Sequence, residues 1–208
     1  ALSWEEAGAM CFGGATALWF LRDRMGLRAG ERLLVIGASG AVGSAAVQIG
    51  RATGAHVTGV ARGENHDLLQ TIGADEVRDY RHWSAADDPE GFDAILDVAG
   101  KTGPGALGRA LKPAGRLGLV LGDLPTMLRA PFLRLGQGQR VILGTAPERR
   151  EDLVQLAELA ERGLFRPVVG SVTPLDDIVA AHGMTDSGHK RGSAVVRVAP
   201  DPEGPAAG

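Results

Sequence analysis

The sequence predicts an α/β fold in which helices cover both faces of a doubly wound, six-stranded parallel sheet. Three observations predict it: short apolar runs alternate with helical patterns, glycine is abundant, and aromatic residues are scarce. Glycine accounts for 31 of the 208 residues and aromatic residues for 4%. This composition is typical of tight βα turns and close helix–sheet packing, and alternating strands and helices form right-handed βαβ units.

Residues 1–30 are predicted to be a helical lead-in. Ser3 and Glu6 have the S-x-x-E spacing of a capping box, which marks the start of a helix. The pattern predicts a helix over 3–25 that breaks at Gly13–Gly14. The sequence opens without an initiator methionine or a signal-peptide pattern, so we interpret it as part of a longer protein.

Strands and helices alternate over residues 31–146. The strands are continuous apolar runs, as expected of parallel strands buried on both faces. In chain order, the predicted strands are 31–37, 55–61, 75–80, 92–100, 115–122 and 139–146. Apolar residues at helical spacing predict helices over 40–53 and 64–73.

The regular alternation of strands and helices ends after Pro147. An amphipathic helix is predicted over 151–163, and extended and helical stretches follow it. We expect the extended stretches at 166–173 and 193–198 to be strands whose sheet partners lie in a domain outside this chain. Residues 199–208 are rich in Pro, Gly and Ala and are predicted to be a disordered tail.

A glycine-rich turn joins the first strand to the first helix of the sheet. Gly37 and Gly40 let the backbone turn sharply and lie close to a pyrophosphate, and Gly43 lets the helix pack near the strand. The helix N-terminus offers free N–H groups and a positive dipole end to an anion. A glycine-rich turn without a ligand is the alternative. The motif predicts a dinucleotide site formed by Ala38, Ser39, Gly40, Ala41, Val42 and Gly43.

The end of the second strand bears on the choice between NAD and NADP. NAD-binding sites of this kind carry an Asp or Glu there for the ribose 2′-hydroxyl, whereas this chain has Ala61 followed by Arg62. A guanidinium can hold a 2′-phosphate through paired, charge-assisted hydrogen bonds. Glu64 opposes a phosphate unless it turns away, and an ordinary surface arginine is the alternative. The sequence therefore favours NADP(H).

Charge, hydropathy and cysteine content exclude several classes of protein. A net charge of −3 provides no basic face for nucleic acid, and no apolar stretch reaches the roughly 18 residues of a membrane span. The single cysteine, Cys11, excludes an internal disulfide and is typical of a reducing compartment, so we predict a cytoplasmic location. The five histidines have no ligand spacing, and we predict no bound metal.

Several stretches resemble the medium-chain dehydrogenase/reductases in order and spacing. They include FGGATALWFLRD, LLVIGASGAVGSAAVQIGRATGAHVTGVA, IGADEVRDY, LKPAGRLGLV and PLDDIVAAHGMTDSGHKRGSAVVRV. The resemblance is closest to the zinc-free branch similar to quinone oxidoreductases. It implies a Rossmann cofactor domain over 31–146 and a returning segment over 147–198 that belongs to a GroES-like substrate domain, whose N-terminal portion is absent here.

The resemblance also assigns further residues to the cofactor. It places Thr16 against the nicotinamide and Tyr80 beside the adenosine phosphate, while Val98 and Gly122 lie at strand ends along the nicotinamide half. A hydroxyl bonded within its own helix and a strand-end tyrosine without a ligand are the alternatives for the first two. In zinc-dependent relatives a cysteine ligand lies four places before the threonine, where this chain has Phe12.

The function implied by the resemblance is NADP(H)-dependent, zinc-independent hydride transfer to a quinone, an enone or a carbonyl, or its reverse. No catalytic residue is identified, and the chain by itself is expected to be inactive. A non-catalytic NADP(H)-binding regulatory module is the alternative. We also expect a homodimer through the sixth strand, 139–146, because an apolar sheet edge is usually paired or covered.

Overall fold

The structure is a computed structural model that describes residues 2–88, 90–121, 135–186 and 191–199. Six strands form one parallel sheet. In chain order these strands are β1 (Arg32–Ile36), β2 (His56–Ala61), β3 (Glu76–Asp79), β4 (Phe92–Asp97), β5 (Leu111–Leu119) and β6 (Arg140–Leu143). Their order in the sheet is β3-β2-β1-β4-β5-β6. The chain thus winds outward from β1 in one direction and then in the other, which confirms the predicted fold class.

Helices connect the strands and cover the sheet. They are α1 (Trp4–Leu18), α2 (Ala41–Thr53), α3 (His66–Thr71), α4 (Pro104–Gly108), α5 (Arg150–Glu161) and α6 (Ile178–Asp186). The first helix continues as a π-helix over Trp19–Arg24. None of the helices in the described ranges is long and apolar enough to cross a membrane.

The start of α1 confirms the predicted capping box. The Ser3 N–H donates to Glu6 Oε2 at 2.9 Å, and the Glu6 N–H donates to Ser3 Oγ at 3.2 Å. The predicted break at Gly13–Gly14 is wrong, because α1 runs through both glycines. A Cβ atom on Gly13 would lie 2.6 Å from the carbonyl oxygen of Ala41. The glycine pair therefore serves close packing of α1 rather than interruption of the helix.

The core lies on the two faces of the sheet. Leu33, Val35 and Val57 pack with the side chains of α1 and α2 on one face. Leu34 and Ile95 belong to the second cluster, which includes side chains of α4 and β5. All five are fully buried, as the continuous apolar runs of the strands predict.

The fifth strand begins earlier than predicted. The predicted strand covers 115–122, but β5 already begins at Leu111. Phe92 pairs with Leu111 before the register shifts, and Ala114 adopts a φ of 60° within the strand. An irregularity therefore interrupts the pairing near the start of the strand.

Residues 147–186 and 191–199, here called the return region, contain α5, α6 and two further strands. These strands are β7 (Val169–Pro174) and β8 (Ser193–Arg197), which pair with each other in parallel as a separate sheet. The expectation that their partners lie outside this chain is therefore incomplete. The connection through α6 supplies the crossover that a parallel pair requires. The disordered tail predicted over 199–208 lies outside the described residues from residue 200 onward.

Candidate cofactor-binding site

The candidate site lies at the carboxyl ends of the central strands. The chain leaves β1 toward β2 on one side of the sheet, and it enters β4 on the other side. Open α/β sheets bind ligands in the crevice at such a switch point. The dinucleotide loop, defined here as residues 37–43, follows β1 at this point and leads directly into α2.

Backbone hydrogen bonds wind the dinucleotide loop tightly. The N–H groups of Gly37 and Ala38 both donate to Val60 O, at 3.0 and 3.1 Å, and the Gly40 N–H donates to Gly37 O at 3.2 Å. A Cβ atom on Gly43 would lie 2.2 Å from Gly37 O. Only glycine allows α2 to approach the loop this closely, so the structure supports the role that the sequence analysis gives to Gly43.

The N-terminus of α2 presents its first amides at the crevice. The N-cap residue is Gly40, which has no side chain that could cap the helix, and the first turn contains no acidic residue. The N–H groups of Ala41, Val42 and Gly43 have no partner within the helix, because the first amides of any helix lie ahead of its first carbonyl. Amides of this kind, together with the positive end of a helix dipole, are the groups that bind phosphates at helix N-termini.

A second cluster lies at the carboxyl ends of β2 and β3, and we call Arg62, Gly63, Asp79, Tyr80 and Arg81 the β2–β3 patch. The Arg62 Nε–H donates to the Tyr80 hydroxyl oxygen at 2.8 Å. The structure thus joins two residues that the sequence analysis assigns separately to the adenosine phosphate. The Tyr80 residue is 46% exposed, so a ligand can reach it.

Sequence reasoning missed Asp79 and Arg81. The Asp79 carboxylate accepts hydrogen bonds from Arg81 Nη2 at 2.6 Å and from the Gly63 N–H at 3.0 Å. The hydrogen bond from the Arg81 side chain is the main reason that the pKa of Asp79 lies well below its usual range. The charged run RDYRH around Tyr80 is the signal that could have identified both residues.

Two of the three predicted nicotinamide-side residues, Thr16 and Val98, lie near the dinucleotide loop. Thr16 is buried in the last turn of α1, one turn beyond Gly13, which packs against Ala41. The Val98 N–H donates to Ile36 O at 3.0 Å, which places Val98 directly beside the end of β1. Gly122, the remaining predicted residue, lies outside the described residues.

Asp97, at the end of β4, is a further residue that the sequence analysis missed. Its Oδ1 atom accepts hydrogen bonds from the Ala99 and Gly100 N–H groups, at 2.9 and 3.0 Å. Its Oδ2 atom is buried without a partner, and burial raises the pKa of the carboxyl group. Asp97 therefore fixes the turn that packs against Gly37. The second aspartate of the apolar run FDAILDVAG is the sequence signal that could have identified it.

Zinc does not fit the donor groups of the described residues. Within residues 2–88, 90–121, 135–186 and 191–199, no group of three His, Cys, Asp or Glu side chains could hold a metal ion. The Cys11 thiol is exposed and lies 3.5 Å from the Ala7 carbonyl oxygen of its own helix. Zinc sites in proteins need three or four such ligands.

Comparisons with known proteins identify a family model and several relatives that agree with one another. The family model described as zinc-binding dehydrogenase matches residues 72–196. The chain is 34% identical, over 191 residues, to the mouse (Mus musculus) protein named NAD(P)H oxidoreductase RTN4IP1, mitochondrial, and this match covers 81% of the chain and 48% of the relative. The chloroplastic quinone-oxidoreductase QR1 of Triphysaria versicolor is 28% identical, with 94% of the chain and 62% of the relative covered.

Solved structures agree with the fold. The structure of the quinone oxidoreductase from Coxiella burnetii superposes with a TM-score of 0.86 at 24% identity, covering 95% of this chain and 62% of that one. The chain thus spans about half to two thirds of the length of these relatives. The predicted cytoplasmic location is wrong by this comparison, because the RTN4IP1 relatives of mouse, cattle, human and zebrafish are named as mitochondrial.

The resemblance seen in the sequence is confirmed by these matches and by the shared sheet. The family model covers more than half of the chain, although the described residues lack a donor set for the metal in its name. The chain therefore belongs to the zinc-binding dehydrogenase family of the medium-chain dehydrogenase/reductase superfamily.

Proposed function

We propose that this chain is the cofactor-binding part of an NADP(H)-dependent oxidoreductase that works without zinc. The observation that carries the proposal is the N-terminus of α2, where amides without a partner inside the helix and the positive end of the helix dipole lie at the switch point of the sheet. The names of relatives support it, since they include NAD(P)H oxidoreductases and quinone oxidoreductases.

The dinucleotide loop fits the diphosphate of a nicotinamide cofactor. Ser39, Gly40 and Ala41 are only partly buried, so a phosphate can reach the loop. A side chain on Gly43 would force α2 away from Gly37. The amides of residues 41–43 would hold the diphosphate, and Val98 and Thr16 would lie toward the nicotinamide half.

The β2–β3 patch supports a preference for NADP(H) over NAD(H). Arg62 is held by Tyr80 at the end of the strand where NAD-specific sites carry an acid. Arg81 adds a second cation, although Asp79 and the exposed Glu64 balance the formal charge of the patch. The proposed preference therefore rests on the geometry of the guanidinium groups rather than on net charge, and we expect it to be moderate.

Calorimetric titration tests this preference. We expect the wild-type chain to bind NADP⁺ about tenfold more tightly than NAD⁺, because charge-assisted hydrogen bonds contribute roughly 1.5–3 kcal/mol. Arg62→Ala should lose this preference and keep its affinity for NAD⁺. Arg28→Ala is the matched control, because Arg28 is exposed and precedes β1 at the opposite end of the sheet. Equal preference in wild type and Arg62→Ala would contradict the assignment.

The proposed reaction is hydride transfer from NADPH to a quinone, an activated alkene or a carbonyl compound, or the reverse transfer from the reduced product to NADP⁺. A bound nicotinamide would supply or accept the hydride, while the protein would orient the cofactor and keep water out of the crevice. Full-length protein with NADPH and a panel of these acceptors tests the reaction through cofactor absorbance. Tight NADPH binding without oxidation by any acceptor would instead favour a non-catalytic regulatory module.

We further propose that residues 31–146 form the cofactor domain, while the lead-in (1–30) precedes it and 147–198 belong to the substrate domain of a longer protein. A homodimer through β6 is proposed as well, because β6 is an edge strand of the sheet and open edges are usually covered. Light scattering should give twice the chain mass of 21.6 kDa. A mass equal to one chain at all concentrations would contradict the dimer.

A further inference from the structure

The return region contacts the dinucleotide loop through the backbone. The Gly192 N–H donates to Ser39 O at 2.7 Å, and Gly40 and Gly192 form an isolated parallel bridge. About 150 residues separate the two partners in the sequence. Gly192 directly precedes β8, so this bridge joins the two-stranded sheet to the turn between β1 and α2.

This bridge fixes one peptide unit of the dinucleotide loop at both ends. The carbonyl oxygen of Ser39 accepts from Gly192, while the N–H of the same peptide unit, on Gly40, donates to Gly37 O at 3.2 Å. Because a peptide unit is planar, these two hydrogen bonds set its orientation. The next amides along the chain are those of residues 41–43, at the N-terminus of α2.

Gly192 is the residue type that this bridge requires. Its φ angle is +55°, and a Cβ atom there would lie 2.0 Å from the carbonyl oxygen of Val168. That oxygen also accepts the Ser193 N–H at 2.8 Å. Any side chain at position 192 would therefore push the segment away from Val168 or change its φ angle, and either movement displaces the N–H that Ser39 accepts.

A second attachment joins the return region to α2 itself. Gln48 is buried in α2, where its Nε2 atom donates to Arg166 O at 3.0 Å and its Oε1 atom accepts the Arg166 N–H at 2.8 Å. The return region is thus bound to α2 at its N-terminus and again two turns further along. The position of this helix relative to the loop depends on both attachments.

We propose that Gly192 is a positioning residue for the cofactor. It holds the Ser39–Gly40 peptide so that the first amides of α2 face the diphosphate, and it links cofactor binding to the docking of the β7–β8 sheet. This inference rests on the proposed function of the dinucleotide loop. Since such coupling is reciprocal, cofactor must in turn hold the return region more firmly in place.

Cofactor affinity of a glycine variant tests the proposal. We expect Gly192→Ala to bind NADPH about tenfold more weakly than wild type, as measured by fluorescence titration. Gly183→Ala is the matched control, because Gly183 is exposed in α6 and a Cβ atom there would meet nothing within 4 Å. Gly192→Ala that binds NADPH within a factor of about two of wild type, with the control also unchanged, overturns the proposal.

Hydrogen exchange of the wild-type chain provides a readout that does not depend on the folding of a variant. Saturating NADPH should slow exchange of the Gly192 amide at least about fivefold. The probe 2′-AMP should leave it unchanged, because it can occupy the β2–β3 patch but has no diphosphate. Unchanged exchange with NADPH bound overturns the inference and leaves the proposed function intact. Absence of NADPH binding to wild type overturns the proposed function first.

Discussion

In β1 four of the five side chains are buried, whereas in β8 four are half-buried and the fifth is exposed. The central sheet is enclosed by helices on both faces, but the β7–β8 sheet rests on the lead-in helix. The ion pairs Arg197–Glu5 and Arg166–Glu6 hold the return region to the lead-in helix. The hydrogen bonds between Gln48 and Arg166 hold it to α2.

This comparison separates two sources of stability. Apolar burial contributes roughly 25 cal/mol per Å², does not depend on the protonation of side chains and therefore stabilises the sheet over a wide pH range. Exposed ion pairs contribute about 0–1 kcal/mol each and weaken with salt or acid. The polar attachments of the return region should thus respond to pH and salt before the central sheet does, although Leu156 of α5 also packs in the apolar core. The following variants examine that difference.

The largest expected effect is a loss of NADPH affinity on substitution of Gly43, in the sheet region. Gly43→Ala places a methyl group 2.2 Å from Gly37 O and forces α2 away from the loop. We expect NADPH affinity to fall about a hundredfold, measured by titration calorimetry. Gly105→Ala, in α4, should bind normally because a Cβ atom there meets nothing within 4 Å. Normal NADPH binding by Gly43→Ala would show that the cofactor does not use this loop.

The same comparison explains which features could be predicted from the sequence. The four central strands β1, β2, β4 and β5 were predicted because a strand buried on both faces is a local apolar run. The edge strands β3 and β6 are less buried, and the alternation of strands and helices predicted them. The continuity of α1 through Gly13 could not be predicted, because the close approach of Ala41 that favours glycine is a tertiary contact. The Gly192–Ser39 bridge involves only backbone atoms, so no side-chain pattern indicates it. The pairing of Asp79 with Arg81 was not predicted, because charged residues in such a run are common on protein surfaces.

The next largest effect is a loss of folding stability on substitution of Asp152, which anchors the return region to the π-helix. Asp152 is fully buried and accepts hydrogen bonds from Arg22 Nη2 at 2.6 Å and from Arg149 Nε at 2.9 Å. Asp152→Asn should lower the free energy of unfolding by about 2 kcal/mol, less than for a wholly buried pair because both arginines are partly exposed.

Urea denaturation measures this change. Glu161→Gln is the control, because Glu161 is exposed at the end of the same helix, and surface substitutions usually change stability by less than about 0.5 kcal/mol. Equal losses in the two variants would mean that the buried ion pair does not hold α5 to the lead-in. In that case the contrast between the two regions would need another explanation.

A smaller effect of opposite sign is expected at Asp97, inside the sheet. Burial raises the pKa of Asp97, so above the unfolded-state pKa the charged form disfavours the folded state. Asp97→Asn keeps an acceptor for the Ala99 and Gly100 amides and removes the charge. The free energy of unfolding should rise by about 1 kcal/mol at pH 7. The gain should disappear below the usual Asp pKa of about 3.9, and a loss of stability at pH 7 would contradict this account.

The smallest effect concerns Asp23, which lies between Arg22 and Arg149 at the edge of the return region. The hydrogen bond from Arg22 is the main cause that lowers the pKa of Asp23 from 3.8 to about 2. Because the folded-state pKa is lower than the unfolded one, the stabilisation is present above pH 3.8 and is lost as the pH falls through about 2. Asp23→Asn should therefore lower the melting temperature slightly at pH 7 and flatten its decline between about pH 5 and pH 2. The melting temperatures of wild type and variant, measured at pH 7, 5 and 3, should converge toward low pH. A difference that stays the same at all three pH values would show that this ion pair does not contribute to the acid sensitivity of the return region.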